Sequence, residues 1–226
     1  MAIKVYAAEV APLSDPARFR RVYARVSAWR QEKVDRFRFD WDKRLSLGAG
    51  AMLEAALVAE EVTDLTMTTG RNEKPRLAHV AGLHFNLSHS GTRVLCAISD
   101  HEFGCDVERV AQADMNLARR CFHGAEYAAL LQCADPAERN ELFYRYWTLK
   151  ESFMKATGLG FQLPLKDFCV TPGDGGIAIR QNVDDRSYFF KEFDRNDGYR
   201  YAVCSADRPL DGVSMREVEI DSLNLL

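Results

Sequence analysis

The order of the predicted elements restricts the fold of this chain more than any other feature, because it occurs twice. A predicted strand at residues 2–10 is followed by two helical stretches and by a long helical pattern at 40–62. After a polar connector, residues 83–100 predict two strands joined by a turn at Ser90-Gly91. The first half is therefore predicted to contain a strand, helices, one long helix and a β-hairpin.

The second half repeats that order. A predicted strand at 103–110 precedes two short helical stretches and a long helix at 136–158, which Gly158 can end. Further strands are predicted at 168–172, 177–181, 187–193 and 199–205. We therefore predict an α+β fold of two similar halves, 1–102 and 103–226, related by a pseudo-two-fold. Each half is expected to be a small, mainly antiparallel sheet packed by one long helix.

Composition excludes several classes of protein. The 226 residues are 47% hydrophobic and 28% charged, with a formal net charge of −3, which argues against non-specific nucleic-acid binding. No apolar run reaches the roughly 18–20 residues of a membrane span. The first 15 residues hold a lone Lys4 and no long apolar segment, so no secretory signal is expected. The six cysteines form no CxxC pair. We expect a cytoplasmic monomer that binds neither nucleic acid nor membrane.

Two carboxylates interrupt the apolar strand "GCDVERV" (104–110). Asp106 and Glu108 are two residues apart, so they point to the same face of the strand. Like charges side by side repel, and their burial is costly unless a cation compensates them. The strand therefore predicts a cation beside Asp106 and Glu108, although a solvated strand face would give the same pattern.

The long second helix supplies a third carboxylate. In "WTLKESFMK", Glu151 and Lys155 are four residues apart and share a helix face. If this helix packs across the strand, Glu151 would join the two strand acids as a set of oxygen ligands for Mg²⁺. Lys150 and Lys155 would then face phosphate oxygens. A surface ion pair between Glu151 and Lys155 is the alternative reading.

Taken together, these segments resemble a known family. The segments "FNLSHSG" (85–91), "GCDVERV" (104–110) and "WTLKESFMKATGLGF" (147–161) occur in the order and spacing of the 4′-phosphopantetheinyl transferases of the larger, surfactin-synthetase-activating type. The segments "NEKPRL" (72–77) and "DKRLSLGAG" (42–50) also match. The resemblance spans about residues 30–205.

The resemblance implies a reaction. The family uses Mg²⁺ and transfers the 4′-phosphopantetheine arm of coenzyme A (CoA) to a serine of an apo carrier protein of the acyl, peptidyl or aryl type, releasing 3′,5′-ADP. It implies a metal site at Asp106, Glu108 and Glu151, with Asp106 also touching CoA. Glu151 would take the serine proton directly or through a water, and Lys155 would stabilise the leaving phosphate. Lys150 would hold CoA phosphates.

The resemblance also implies a different role for each half. The first half would bind the nucleotide and the second would hold the metal and dock the carrier, with the active site in a cleft between them. The residues expected to bind CoA in the first half are Arg44, Lys74, Pro75, Ser88 and His89. The arginine-rich run 18–39 adds Lys33 as an expected CoA contact, although this run could also be a solvated helix face or contact an acidic carrier helix. Glu126 matches a glutamate near the family's active site, and the carrier is expected beside residues 111–122. The rival readings are a non-catalytic CoA- or carrier-binding module and a different Mg²⁺-dependent phosphoryl enzyme.

Overall fold

The computed structural model describes residues 2–70, 72, 74–173 and 175–223, apart from the side chain of Phe161. The helices are α1 (Pro16–Tyr23), α2 (Ala28–Asp35), α3 (Asp40–Ala59), α4 (Met115–Cys121), α5 (Gly124–Gln132) and α6 (Pro136–Thr157). The strands are β1 (Lys4–Glu9), β2 (Met67–Thr69), β3 (Pro75–Leu77), β4 (His84–Ser90), β5 (Arg93–Ser99), β6 (Phe103–Arg109), β7 (Cys169–Gly173), β8 (Gly176–Arg180), β9 (Tyr188–Phe193), β10 (Tyr199–Ala206) and β11 (Met215–Glu217). Within the described ranges, no helix is long and apolar enough to cross a membrane.

The chain forms two compact units, and their boundary lies close to the predicted one. The first unit comprises Met1–His101 together with Val213–Leu226, and the second comprises Glu102–Gly212. The C-terminal residues, which the sequence analysis placed in the second half, thus belong to the first. The reason is β11, which pairs in parallel with β1, with Val218 N donating to Ala7 O at 2.9 Å.

The first unit is a four-stranded sheet packed by α3. The strand order is β11-β1-β5-β4, in which β1–β5 and β5–β4 are antiparallel. Helix α3 is buried around most of its circumference between Leu45 and Leu57, and Leu47, Leu53 and Leu57 are fully buried in the core. Helix α1 begins as Asp15-Pro16 predicts, because Asp15 Oδ1 accepts from Ala17 N at 2.7 Å.

The second unit has the same element order around α6. Its antiparallel sheet runs β6-β10-β9, in which β6 pairs with β10 and β10 with β9, as β1 pairs with β5 and β5 with β4 in the first unit. Gly158 ends α6 with φ 69°, a left-handed conformation that favours glycine. The mixed α+β architecture with small, mainly antiparallel sheets is therefore confirmed.

Three short strands were missed. Residues 68–78, predicted as a polar connector, contain most of the hairpin β2–β3, in which Thr69 lies opposite Pro75. Strand β11 was also missed. Each has three residues, which is too short for an alternating pattern to stand out. The neighbouring residue Glu73, part of the Lys-Pro segment, lies outside the described residues.

Candidate active site

Helix α6 lies directly against β6, as the grouping of the three carboxylates requires. The contact depends on Gly104, because a Cβ atom there would be 2.2 Å from Ser152 O and 2.5 Å from Ala156 N. Any side chain at this position would push the helix away from the strand. The missing side chain thus lets the helix residues Glu151 and Lys155 approach the strand residue Asp106.

Asp106 and Lys155 form the central contact of this site. Asp106 is 2% exposed, and its Oδ1 accepts from Lys155 Nζ at 2.6 Å. Lys155 Nζ also donates to Cys105 O at 3.1 Å. Burial alone would lower the pKa of Lys155, but the Asp106 and Glu151 carboxylates outweigh it and raise that pKa. The lysine is therefore held charged beside the buried carboxylate.

The Asp106 carboxylate also affects the pKa of Glu151. Glu151 is half-buried, and burial together with the negative charge of Asp106 raises its pKa, while Lys155 opposes the rise. Glu108 is half-buried two residues after Asp106 on β6, where it lies opposite Arg200 of β10. A carboxylate with a raised pKa is suited to exchanging a proton near neutral pH.

The donor chemistry at this site fits a hard divalent cation. Asp106, Glu108 and Glu151 carry carboxylate oxygens of the kind that Mg²⁺ prefers. In the part of the chain that the structure describes, no three His, Cys, Asp or Glu side chains converge closely enough to hold a metal. The Lys155 ammonium lies where it compensates Asp106, so it is a competitor for any metal that uses that carboxylate.

Lys150 lies elsewhere than expected. It is fully buried, and its Nζ donates to Glu126 Oε1 at 2.8 Å and to Phe168 O at 2.7 Å. Glu126 Oε1 also accepts from Val170 N at 2.8 Å, and Glu126 Oε2 accepts from His123 N at 2.9 Å. Burial lowers the pKa of Lys150, and Glu126 opposes that effect. Lys150 thus ties α6 to α5 and β7 in this structure, in contrast with the expected phosphate contact.

The first unit contains an electropositive pocket of about 280 Å³, called here the cationic pocket. Four of the residues expected to bind CoA line it: Lys33, Lys74, Pro75 and His89. Burial and the charges of Arg30 and Arg36 lower the pKa of Lys33. The remaining described lining residues are Arg30, Phe37, Ser46, Ala49, Phe85, Asn86 and Leu87. This lining is suited to an anion.

Two lining residues, Arg30 and Ser46, were missed by the sequence analysis. Arg30 is 2% exposed, and both its Nε and Ser46 Oγ are buried without a hydrogen-bond partner among the described residues. The guanidinium lies over Gly50, where a Cβ would be 2.0 Å from Nε. A buried donor without a hydrogen-bond partner lowers the stability of the folded state. Such donors are typical of sites that bind a polar ligand. The spacing of Arg30 and Lys33 on α2 was the available signal.

Two other expected CoA contacts, Arg44 and Ser88, are close in sequence to residues that line this pocket. Arg44 is half-buried on α3, and Ser88 is 8% exposed on β4, one residue before His89. Neither is among the described residues that line the pocket. Their contacts with CoA stay predictions.

The second unit places carboxylates beside lysine ammonium groups, and the first unit contains the cationic pocket. Both features are typical of enzymes that act on phosphate-bearing substrates. Comparison with known proteins narrows that class. The family "4′-phosphopantetheinyl transferase superfamily" matches residues 102–204. A 4′-phosphopantetheinyl transferase of Bacillus subtilis is 33% identical over 88% of this chain and 91% of its own length. 4′-Phosphopantetheinyl transferase Sfp of Bacillus subtilis (strain 168) is 31% identical over 80% and 82%.

A solved structure is also similar, at a lower level. A holo-(acyl-carrier-protein) synthase from Bacillus anthracis, determined in complex with CoA (3′,5′-ADP), is 15% identical, with a TM-score of 0.41 over 46% of this chain and 94% of its own. The present chain belongs to the 4′-phosphopantetheinyl transferase family, on the strength of the curated relatives. The resemblance drawn from the three sequence segments is thereby confirmed, and with it the enzyme class.

Proposed function

We propose that this protein, a 4′-phosphopantetheinyl transferase by family, transfers the phosphopantetheine arm of CoA to a serine hydroxyl of an apo carrier protein. The observation that carries the proposal is the Asp106–Lys155 contact beside Glu151 on a helix pressed against β6. The serine oxygen forms a bond to the β-phosphorus of CoA while the bond from that phosphorus to the bridging oxygen breaks. The products are the holo carrier and 3′,5′-ADP.

In this proposal, the charged residues of the second unit have different roles in the reaction. We propose that Glu151 takes the serine proton, directly or through a water. Lys155, held charged by its carboxylate neighbours, stabilises the negative charge on the leaving phosphate. We propose that Asp106, Glu108 and Glu151 hold Mg²⁺, with Asp106 also next to CoA. The metal would supply charge compensation to the pyrophosphate. Lys155 must then move its ammonium from Asp106 towards phosphate.

The cationic pocket of the first unit is the proposed nucleotide site. Lys33, Lys74 and His89 face it with charged or hydrogen-bonding groups, and Pro75 shapes its wall. Arg30 and Ser46 add buried donors at its lining. Arg44 and Ser88 remain proposed contacts of bound CoA. The pseudo-two-fold relation of the halves and a shared cleft stay predictions, as do the monomeric state and the cytoplasmic location.

The carrier is proposed to dock at residues 111–122. The core of this segment is α4, capped by Asp114, whose Oδ1 accepts from Asn116 N and Leu117 N at 2.9 Å each. Arg119 and Arg120 are exposed in its last turn, where they could pair with an acidic partner. The segment directly follows β6, so a carrier bound there would present its serine near the carboxylates.

A single assay tests this function. The protein is incubated with CoA, Mg²⁺ and a panel of apo carriers, and intact mass together with 3′,5′-ADP release is measured. The proposal expects a mass gain of one phosphopantetheine arm on a carrier, with equal release of 3′,5′-ADP. Release of 3′,5′-ADP without any carrier would instead favour a different phosphoryl enzyme. Binding of CoA with neither product would indicate a non-catalytic module.

A further inference from the structure

A second pocket in the first unit adjoins the cationic pocket and has a different lining. This aromatic pocket, of about 360 Å³, is lined by Trp29, Lys33, Arg36, Phe37, Thr69 and Pro75. Helix α2 and the residues just after it supply the first four, and the hairpin β2–β3 supplies the last two. Three residues, Lys33, Phe37 and Pro75, line both pockets. One ligand could therefore extend from one pocket into the other.

The two linings suit the two parts of a nucleotide. The cationic pocket presents Arg30, Lys74 and His89 towards an anion. The aromatic pocket adds the Trp29 indole to the shared Phe37 ring, beside the cations Lys33 and Arg36, and none of its described lining residues carries a carboxylate. A flat heterocycle linked to phosphates matches this pair of surfaces, because bases stack on aromatic side chains.

We infer that Trp29 is the side chain on which the purine base of the nucleotide stacks. The inference rests on the proposed function and deepens it, since it assigns a specificity-determining residue to the CoA site. Trp29 lines the aromatic pocket, whereas Phe37 borders both pockets. The indole is half-buried and is flanked by Arg30 Cζ at 5.0 Å and Lys33 Nζ at 5.4 Å from the ring centroid. These contacts hold the ring at the pocket wall.

The cation–π contacts of Trp29 suggest an alternative role for this residue, and that role predicts a different result in binding experiments. If Trp29 served only to hold the cations Arg30 and Lys33 through cation–π contacts, its loss would weaken binding of phosphate groups whether or not a base is present. If the base stacks on Trp29, the loss is confined to ligands that carry a base. A pair of ligands that differ only in the base separates the two.

The experiment measures binding of 3′,5′-ADP and of ribose 3,5-bisphosphate to the full chain and to Trp29→Ala. We expect Trp29→Ala to weaken 3′,5′-ADP binding about tenfold, within the range for one base–aromatic stack, and to change ribose bisphosphate binding less than about twofold. The matched control is Trp41→Ala, because Trp41 is exposed and is not among the described residues that line either pocket. The control should bind both ligands as the parent does.

Fluorescence gives an independent readout. Addition of 3′,5′-ADP should quench tryptophan emission in the parent and in Trp41→Phe, and the quench should vanish in Trp29→Phe. Equal weakening of both ligands by Trp29→Ala, or no weakening of either, would overturn the inference while leaving phosphopantetheine transfer by the parent intact. Failure of the parent itself to bind 3′,5′-ADP would overturn the inference and the proposed function together.

Discussion

Lys155 Nζ lies 2.6 Å from Asp106 Oδ1 across the contact between α6 and β6. Lys155 is thus a cation beside Asp106, as the strand sequence predicted, and its charge compensates the buried carboxylate. The same contact sets a condition on metal binding, because an ammonium and a divalent cation compete for one carboxylate. Because of this competition, substitutions of Asp106 and of Lys155 should have opposite effects on metal binding.

The first prediction concerns metal binding. Asp106→Asn should weaken Mn²⁺ binding, measured by electron paramagnetic resonance, and reduce transfer about 100-fold or more, the scale of losing one preorganised electrostatic contact. Lys155→Met should tighten Mn²⁺ binding, because the competing ammonium is gone, and yet reduce transfer, because the leaving phosphate loses its partner. Weaker Mn²⁺ binding by Lys155→Met would contradict the competition between the two cations.

The second prediction concerns the buried pair of Lys150 and Glu126. Removal of either charge leaves the other buried and uncompensated, so Lys150→Met should lower the free energy of unfolding by about 3–5 kcal/mol. The double variant Lys150→Met/Glu126→Gln should lose less than the sum of the single variants, as judged by urea unfolding. The exposed Lys166 gives the control, since Lys166→Met should be close to neutral. A stable Lys150→Met with a raised KM for CoA would instead support the phosphate contact.

The third prediction separates binding from stability at Arg30. Arg30→Met should weaken CoA binding by about 1–3 kcal/mol, through loss of a charge-assisted contact. Its melting temperature should change little, because the lost attraction between Arg30 and the buried Glu54 carboxylate is offset by removal of a buried Nε that has no hydrogen-bond partner among the described residues. Calorimetric titration and thermal unfolding measure the two effects, with Arg20→Met on the exposed face of α1 as control. A destabilised variant with normal CoA affinity would make Arg30 a structural residue.

The fourth prediction concerns the carrier. Charge reversal by Arg119→Glu with Arg120→Glu should raise the carrier KM and reduce its dependence on salt, because an acidic partner loses its attraction to α4. CoA affinity should stay within about twofold of the parent, since neither arginine is among the residues proposed to bind CoA. Kinetics at varied carrier and salt concentrations provide the measurement. Unchanged carrier kinetics would place the docking surface elsewhere.

The sequence by itself determined the elements and the family. Period-two and helical patterns predicted the long helices, the main strands and the repeated order, because burial of one face imposes these patterns locally. The Asp15-Pro16 start and the Gly158 end were readable for the same reason. The three segments around the Ser-His strand, the Asp-x-Glu strand and the Lys-Glu helix were sufficient for the family, which the curated relatives confirm.

Tertiary structure decided which side chains meet. Lys150 and Glu151 are neighbours in the chain, but the helix turns successive residues about 100° apart. Lys150 therefore enters the core with Glu126, while Glu151 lies near Asp106. The return of β11 to β1 and the position of Arg30 over Gly50 likewise join distant parts of the chain. Such contacts depend on packing between elements, and no local pattern encodes them.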